Sequence, residues 1–141
     1  MLKVVLHGRI SCVATTPGTA RFDVRLGPSG TIVAFDTGAL NLNTTAKTTV
    51  PWLLEIWLTC RSVGSGTGTT LFGISQFTSE ATVGSAAAGA GGTGGILAPV
   101  GTPAVGAGFD NTAANALDVF FTQTVATGSL TVHGYRVDAL N

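Results

Sequence analysis

Ala20-Arg21-Phe22-Asp23-Val24-Arg25-Leu26 is the stretch that decides how this chain folds. Phe22, Val24 and Leu26 alternate with Arg21, Asp23 and Arg25. A period of two puts the first set on one side of an extended strand and the charged set on the other. Gly27-Pro28-Ser29-Gly30 interrupts the pattern with turn chemistry, and Thr31–Phe35 resumes it, which predicts a β-hairpin.

The same period extends outward in both directions. Upstream, Leu2, Val4, Leu6, Ile10 and Cys12 share one face, while Lys3, Val5, His7, Arg9 and Ser11 share the other. Pro17-Gly18 marks the turn between the two strands. Downstream, Asn41–Thr49 reads as a polar connection, followed by a long strand over Pro51–Val63. Trp52, Leu54, Ile56, Leu58 and Cys60 line one face of it; Leu53, Glu55, Trp57, Thr59 and Arg61 line the other. Gly64–Gly68 predicts a hairpin loop, and Thr69–Phe77 the return strand, anchored by Leu71 and Phe72. Ser85–Gly95 is a low-complexity Gly/Ala loop. Ile96–Val105 supplies one irregular strand between prolines, placed at an edge because proline cannot donate to a ladder.

Asn111–Leu117 has the composition of a capped helix. The alternation of Leu117, Val119 and Phe121 with Asp118, Phe120 and Thr122 favours a turn and then a strand. In the final strand, Ser129–Leu140, Leu130 and Val132 lead one face, and the phase shifts to Tyr135 and Val137 as a β-bulge at Gly134 would shift it. The count is about eight antiparallel strands with no convincing amphipathic helix. The expected fold is therefore all-β, a single domain over residues 1–141 built as a jelly-roll-like β-sandwich.

Composition narrows the function classes. The chain has 141 residues and is 45% apolar, which excludes disorder. Twenty glycines and 22 threonines suit tight turns and pleated strands. Only seven Lys/Arg and seven Asp/Glu are present, and they cancel; an ordinary soluble domain is roughly a quarter charged. No basic run exists for nucleic acid or an anionic membrane. The uncharged stretch Ala81–Phe109 holds nine glycines plus Pro99 and Pro103, which argues against a transmembrane helix despite a mean hydropathy of +0.45. His7 and Arg9 break the N-terminal apolar run, so no secretory signal is expected, and Cys12 and Cys60 read as buried thiols in a reducing compartment.

No catalytic set emerges, and the expectation is a non-enzymatic protein with no cofactor and no metal. His7 and His133 fall on the first and last strands, but zinc wants three or four ligands. The serines lack a nucleophile elbow, and the seven acids offer no evident carboxylate pair. Gly64–Gly68 lacks the Lys-Ser/Thr end of a phosphate loop. Val5, Trp57 and Phe120, apolar residues on outward faces, point instead to a subunit interface, the alternative being that the chain's own loops cover them.

Read in order, the Thr-Pro-Gly turn, Phe22–Gly27 (Phe-x-Val-Arg-Leu-Gly), Pro51-Trp52, Leu58–Gly64 and Asn111–Val119 resemble small β-sandwich structural proteins of tailed bacteriophages, of the capsid decoration (cement) or head-fibre type. The Ser85–Gly95 insert and the Pro99/Pro103 segment depart from that pattern. The resemblance implies a jelly-roll homotrimer that binds the major capsid protein lattice on the virion exterior after assembly in the host cytoplasm. The Gly/Ala loop (Ser85, Gly89, Gly92, Gly95) and the N-terminal segment are the expected capsid contacts, ordering on docking. The alternative is a receptor- or glycan-binding domain of a tail or head fibre, with Trp57 and the Asp110-Asn111 turn as its candidates.

Overall fold

The alternating run that opens the chain forms β1 (Leu2–Cys12), and both of its edges are occupied in the computed structural model, which describes residues 1–85, 94–99 and 103–140. On one side β1 pairs antiparallel with β10 (Ser129–Ala139), and on the other with β5 (Lys47–Ser62). β6 (Thr70–Ser79) and β8 (Gly94–Ala98) complete a five-stranded sheet of order β10-β1-β5-β6-β8. The second sheet is built around β2 (Thr19–Leu26), with β9 (Asp118–Gln123) along one edge. β3 (Ile32–Asp36) pairs with Asp23–Leu26, and β4 (Leu40–Leu42) with Thr19 and Ala20. Both lie on the edge of β2 opposite β9, so they act as one strand interrupted at Thr37-Gly38-Ala39. β7 (Thr82–Ser85) pairs with β4.

The described residues contain ten strands, all paired antiparallel, and no helix. The all-β expectation holds, while the count of about eight is too low. β4 lies inside the stretch that reads as a polar connection, and β7 precedes the Gly/Ala run. Ser85 and Gly95 belong to strands rather than a loop, pairing with Leu40 and Thr78 respectively. A ladder uses backbone groups, so residues with small side chains join it readily at an edge. Gly89 and Gly92 lie outside the described residues. The N-terminal segment is not a free arm awaiting a partner, because β1 is paired along its length on both sides.

The two sheets pack face to face on a common core. Val4, Leu6 and Ile10 of β1 and Leu54, Ile56 and Leu58 of β5 meet Phe22, Val24 and Leu26 of β2. Phe22 is the centre of an aromatic group, with Trp52, Phe77 and Phe121 at ring-centroid distances of 5.6, 5.2 and 5.1 Å. The Gly134 phase shift is present: His7 pairs with Gly134 and Gly8 with Val132, leaving His133 as the extra residue. A second bulge sits opposite Ser11, where Thr49 takes a left-handed φ of 53° and its N–H donates to the Ser11 hydroxyl at 2.9 Å.

The two flanks of this arrangement differ. On the β3/β6 flank the segment Val105–Phe109 bridges the sheets. The Gly106 N–H donates to Leu71 of β6, the Ala107 N–H to Val33 of β3, and Thr69 and Phe109 exchange both backbone bonds. On the β9/β10 flank, among the described residues, neither edge strand pairs through its backbone with the other sheet, and the Gln123 amide of β9 donates to the Ser11 carbonyl of β1 at 3.4 Å. A groove of about 350 Å³ remains there, lined by Val4 and Leu6 of β1, Leu117 to Val119, and Val132, Tyr135 and Val137 of β10.

Candidate functional site

Cross-strand partners share a face, so the register spells out the outer surface of the β1 sheet. One row runs Arg136, Val5, Glu55, Gln76, Leu97; the next runs Asp138, Lys3, Trp57, Ile74; a third runs Gly134, His7, Leu53, Thr78, Gly95. Val5 and Trp57 are therefore diagonal neighbours on one face, both half-buried. Leu53, Ile74 and Leu97 stand beside them and are 40%, 43% and 69% exposed. A groove of about 420 Å³ lies between Met1, Trp57, Phe72, Ile74 and Leu97, with no charged side chain in its lining.

Phe120 does not join this face. It pairs with Asp23 on the outer surface of the opposite sheet, on the far side of the molecule. There the Arg25 guanidinium lies 4.0 Å from its ring centroid and also bonds Asp23 at 2.8 Å, so Phe120 is the base of a cation–π contact. Of the three apolar residues that the alternation turns outward, the fold gathers two.

The few charges are mostly matched within the chain. Ion pairs join Lys3–Glu55 (2.8 Å), Arg21–Asp36, Arg25–Asp23 (2.8 Å), Lys47–Glu80 (3.3 Å) and Arg136–Asp138 (2.8 Å). By accepting two hydrogen bonds from Arg21, Asp36 raises that guanidinium's pKa above its ordinary value. Lys3 also sits 5.3 Å from the Trp57 ring centroid. Among the described residues, Arg9, Arg61, Asp110 and Asp118 are the charged side chains outside these pairs.

Asp110 is occupied otherwise. The Thr112 hydroxyl donates to it at 2.6 Å and the Thr112 N–H at 2.9 Å. Those bonds, with one from the Gly66 backbone, hold its carboxyl below the usual carboxylate range, the hydroxyl contributing most. The Asp110-Asn111 turn thus ties itself to the β5–β6 hairpin.

His7 and His133 line a common groove of about 590 Å³ with Arg9, Thr49 and Pro51. A Cβ on Gly134 would stand 2.6 Å from His7 Cε1, so the imidazole lies flat on that glycine. No group of three or more His, Cys, Asp or Glu capable of holding a metal ion occurs among the described residues. Cys12 is buried, as its alternation predicts, but Cys60 is exposed and both are free. The correction has a simple cause: β5 outruns the core after Leu58, and residues 59–62 stand in solvent.

The β9/β10 groove is the feature that periodicity alone misses. Tyr135 is 78% exposed, Val132 48% and Val137 44%. Their register partners Leu6, Gly8 and Val4 all face the core, so these side chains are on the inner face of the sheet. They are exposed because, among the described residues, the second sheet stops at β9 and does not extend over β10. The phase of the last strand marks which face they occupy, but the extent of the facing sheet is a tertiary property. No protein-family model, no curated protein and no solved structure matches this chain.

Proposed function

We propose that this chain is a non-enzymatic virion structural protein of the capsid decoration type, a jelly-roll-like β-sandwich that associates as a homotrimer and binds the major capsid protein on the outside of a phage head. One observation carries the reading. The outer face of the β1 sheet presents Val5, Leu53, Trp57, Ile74 and Leu97 as an apolar patch in which Lys3, Glu55, Gln76 and Thr78 are interspersed. A monomer rarely leaves such a surface in water, and a closed ring of copies removes it. The internal matching of charges supports crowding on a lattice, since neighbouring copies then repel one another little. Capsid binding would gain from avidity, three linked subunits engaging a repeating surface at once.

Light scattering on the full chain at micromolar concentration tests the oligomer, and co-sedimentation with undecorated tailed-phage capsids tests the partner. A monomer that stays in the supernatant overturns the proposal. The fibre reading, in which Trp57 serves as a glycan platform, predicts hits on a glycan array and no co-sedimentation.

A further inference from the structure

We propose that β10 is a second self-association surface, at which the free edges of two copies pair antiparallel across a two-fold axis at Val137. This goes beyond the decoration reading and does not depend on it. Among the described residues β10 is an eleven-residue edge strand paired only with β1, so a row of its backbone N–H and C=O groups faces outward with no described strand beside it. Proline, a short edge, a bulge, charged side chains or a covering loop usually blunts such an edge. β10 contains no proline, and although it has a bulge at His133 and carries Arg136 and Asp138, the stretch from Gly134 onward runs unbroken beside β1.

The sequence of the strand selects the occupant. About an axis at Val137, residue pairs are Val137 with itself, Arg136 with Asp138 of the second copy, and Tyr135 with Ala139. Arg136 and Asp138 occupy the outer face, because they pair with Val5 and Lys3 of β1. Within one chain these two side chains already bond each other (2.8 Å). Across the axis each also faces the opposite charge of the second copy, so the two intrachain pairs close into one four-charge cluster. Tyr135, Val137 and Ala139 occupy the inner face, opposite Leu6, Val4 and Leu2. They meet apolar partners, and the exposed β9/β10 groove gains a neighbour. Charge order, face and edge thus agree on one register, and a register shifted by one residue would put charged side chains against apolar ones. An isologous contact of this kind needs no component other than the chain itself.

Charge exchange tests the pairing. Light scattering across a dilution series of the full chain should show a two-fold association step. R136D alone sets carboxylate against carboxylate, both across the axis and within the chain, and D138R alone does the same with guanidinium, so it is the recovery on mixing that reports the contact across the axis. Each should weaken the step by roughly tenfold in dissociation constant, the unfavourable contact occurring twice. An equimolar mixture of the two variants, and separately the double exchange R136D/D138R, should recover it. Circular dichroism on each variant confirms that the fold is retained. The proposal is overturned if the wild type shows no two-fold step, as it would if another protein or nothing at all occupied the edge. It is equally overturned if the single variants associate like the wild type, or if mixing fails to restore the step. A Trp57→Ser chain that loses trimers but keeps the two-fold step separates the two surfaces.

Discussion

The Phe35 ring of β3 rests on the backbone of Gly73 in β6, and no room is left between them for a Cβ. The contact joins the sheets, and the Leu58 side chain closes the same spot, 3.0 Å from where a Cβ on Gly73 would stand. Gly73→Ala should therefore destabilise the fold by about 1–3 kcal/mol through overpacking. Phe35→Leu in the same chain should recover part of that loss, because the two sites are in contact and their effects are not additive. Urea unfolding of the four chains of the double-mutant cycle measures both effects.

Thr49 carries a β-branched side chain in the left-handed region, at φ 53°. That conformation costs an L-residue roughly 1–2 kcal/mol, and glycine adopts it freely. Thr49 is exposed, so little packing is lost with its side chain. Thr49→Gly should raise stability by about 1 kcal/mol, less the extra entropy glycine gives the unfolded chain. A thermal midpoint lower than that of the wild type would mean that the side chain contributes something the bulge geometry does not reveal.

Asp110 provides a pH dependence. Hydrogen bonding stabilises its ionised form in the folded state, so the folded pKa lies below the unfolded one. Stability from this group is fully present above the unfolded value, about 3.9, and fades as pH falls through the folded one. Thermal midpoints of the wild type and Asp110→Ala should differ at neutral pH and converge as the buffer is taken well below pH 4.

Trp57 and Phe120 give opposite expectations for assembly. If the proposed trimer forms through this face, Trp57→Ser or Ile74→Ser, which removes apolar area from the outer face of the β1 sheet, should shift it toward smaller species at equal concentration. Phe120→Ser lies on the other sheet beneath Arg25 and should leave the oligomer intact, at a cost of about 0.5–1 kcal/mol in stability from the exposed cation–π contact. Light scattering resolves the two outcomes.

Most of the fold is legible because burial enforces a period of two. Phe22, Val24 and Leu26 point inward as their spacing requires, and a strand before Pro99 sits at a sheet edge as expected, although it spans Gly94–Ala98 rather than Ile96–Val105 because Pro99 ends it. The turn-then-strand reading of Asn111–Gln123 is correct because Val119 and Phe121 pack on the core while Asp118 and Phe120 do not. β4 escapes such reasoning: three residues are too short for a period, and the strand exists because β2 and β7 hold it. Leu71 and Phe72 look like equal anchors, yet only Leu71 is fully buried, the true inner row being Leu71, Gly73, Ser75 and Phe77. Gly73 and Ser75 carry no apolar signal; Gly73 is inside because the Phe35 ring leaves no room for a side chain, and the buried Ser75 hydroxyl donates to the Ala98 carbonyl at 3.3 Å. For the candidate site, alternation finds outward Val5 and Trp57 but cannot report that Phe120 is on another sheet, since a period assigns a face and not a layer.

The segment Val105–Phe109 ties the two sheets by a series of backbone hydrogen bonds along one flank, whereas among the described residues the other flank has the 124–128 turn and the Gln123 amide donating to the Ser11 carbonyl at 3.4 Å, and that asymmetry has a mechanical consequence. The molecule is bound like a book at its spine, so thermal opening should begin at the free margin, where β9 and β10 part. Amide hydrogen exchange should then be fastest along β10 and β9 and slowest near Leu71 and Val33. A second copy seated on β10 would act as a clasp on the open margin. Because a partner that binds only the closed form raises its stability in proportion to the logarithm of partner concentration, the melting temperature of this chain should climb as its own concentration increases.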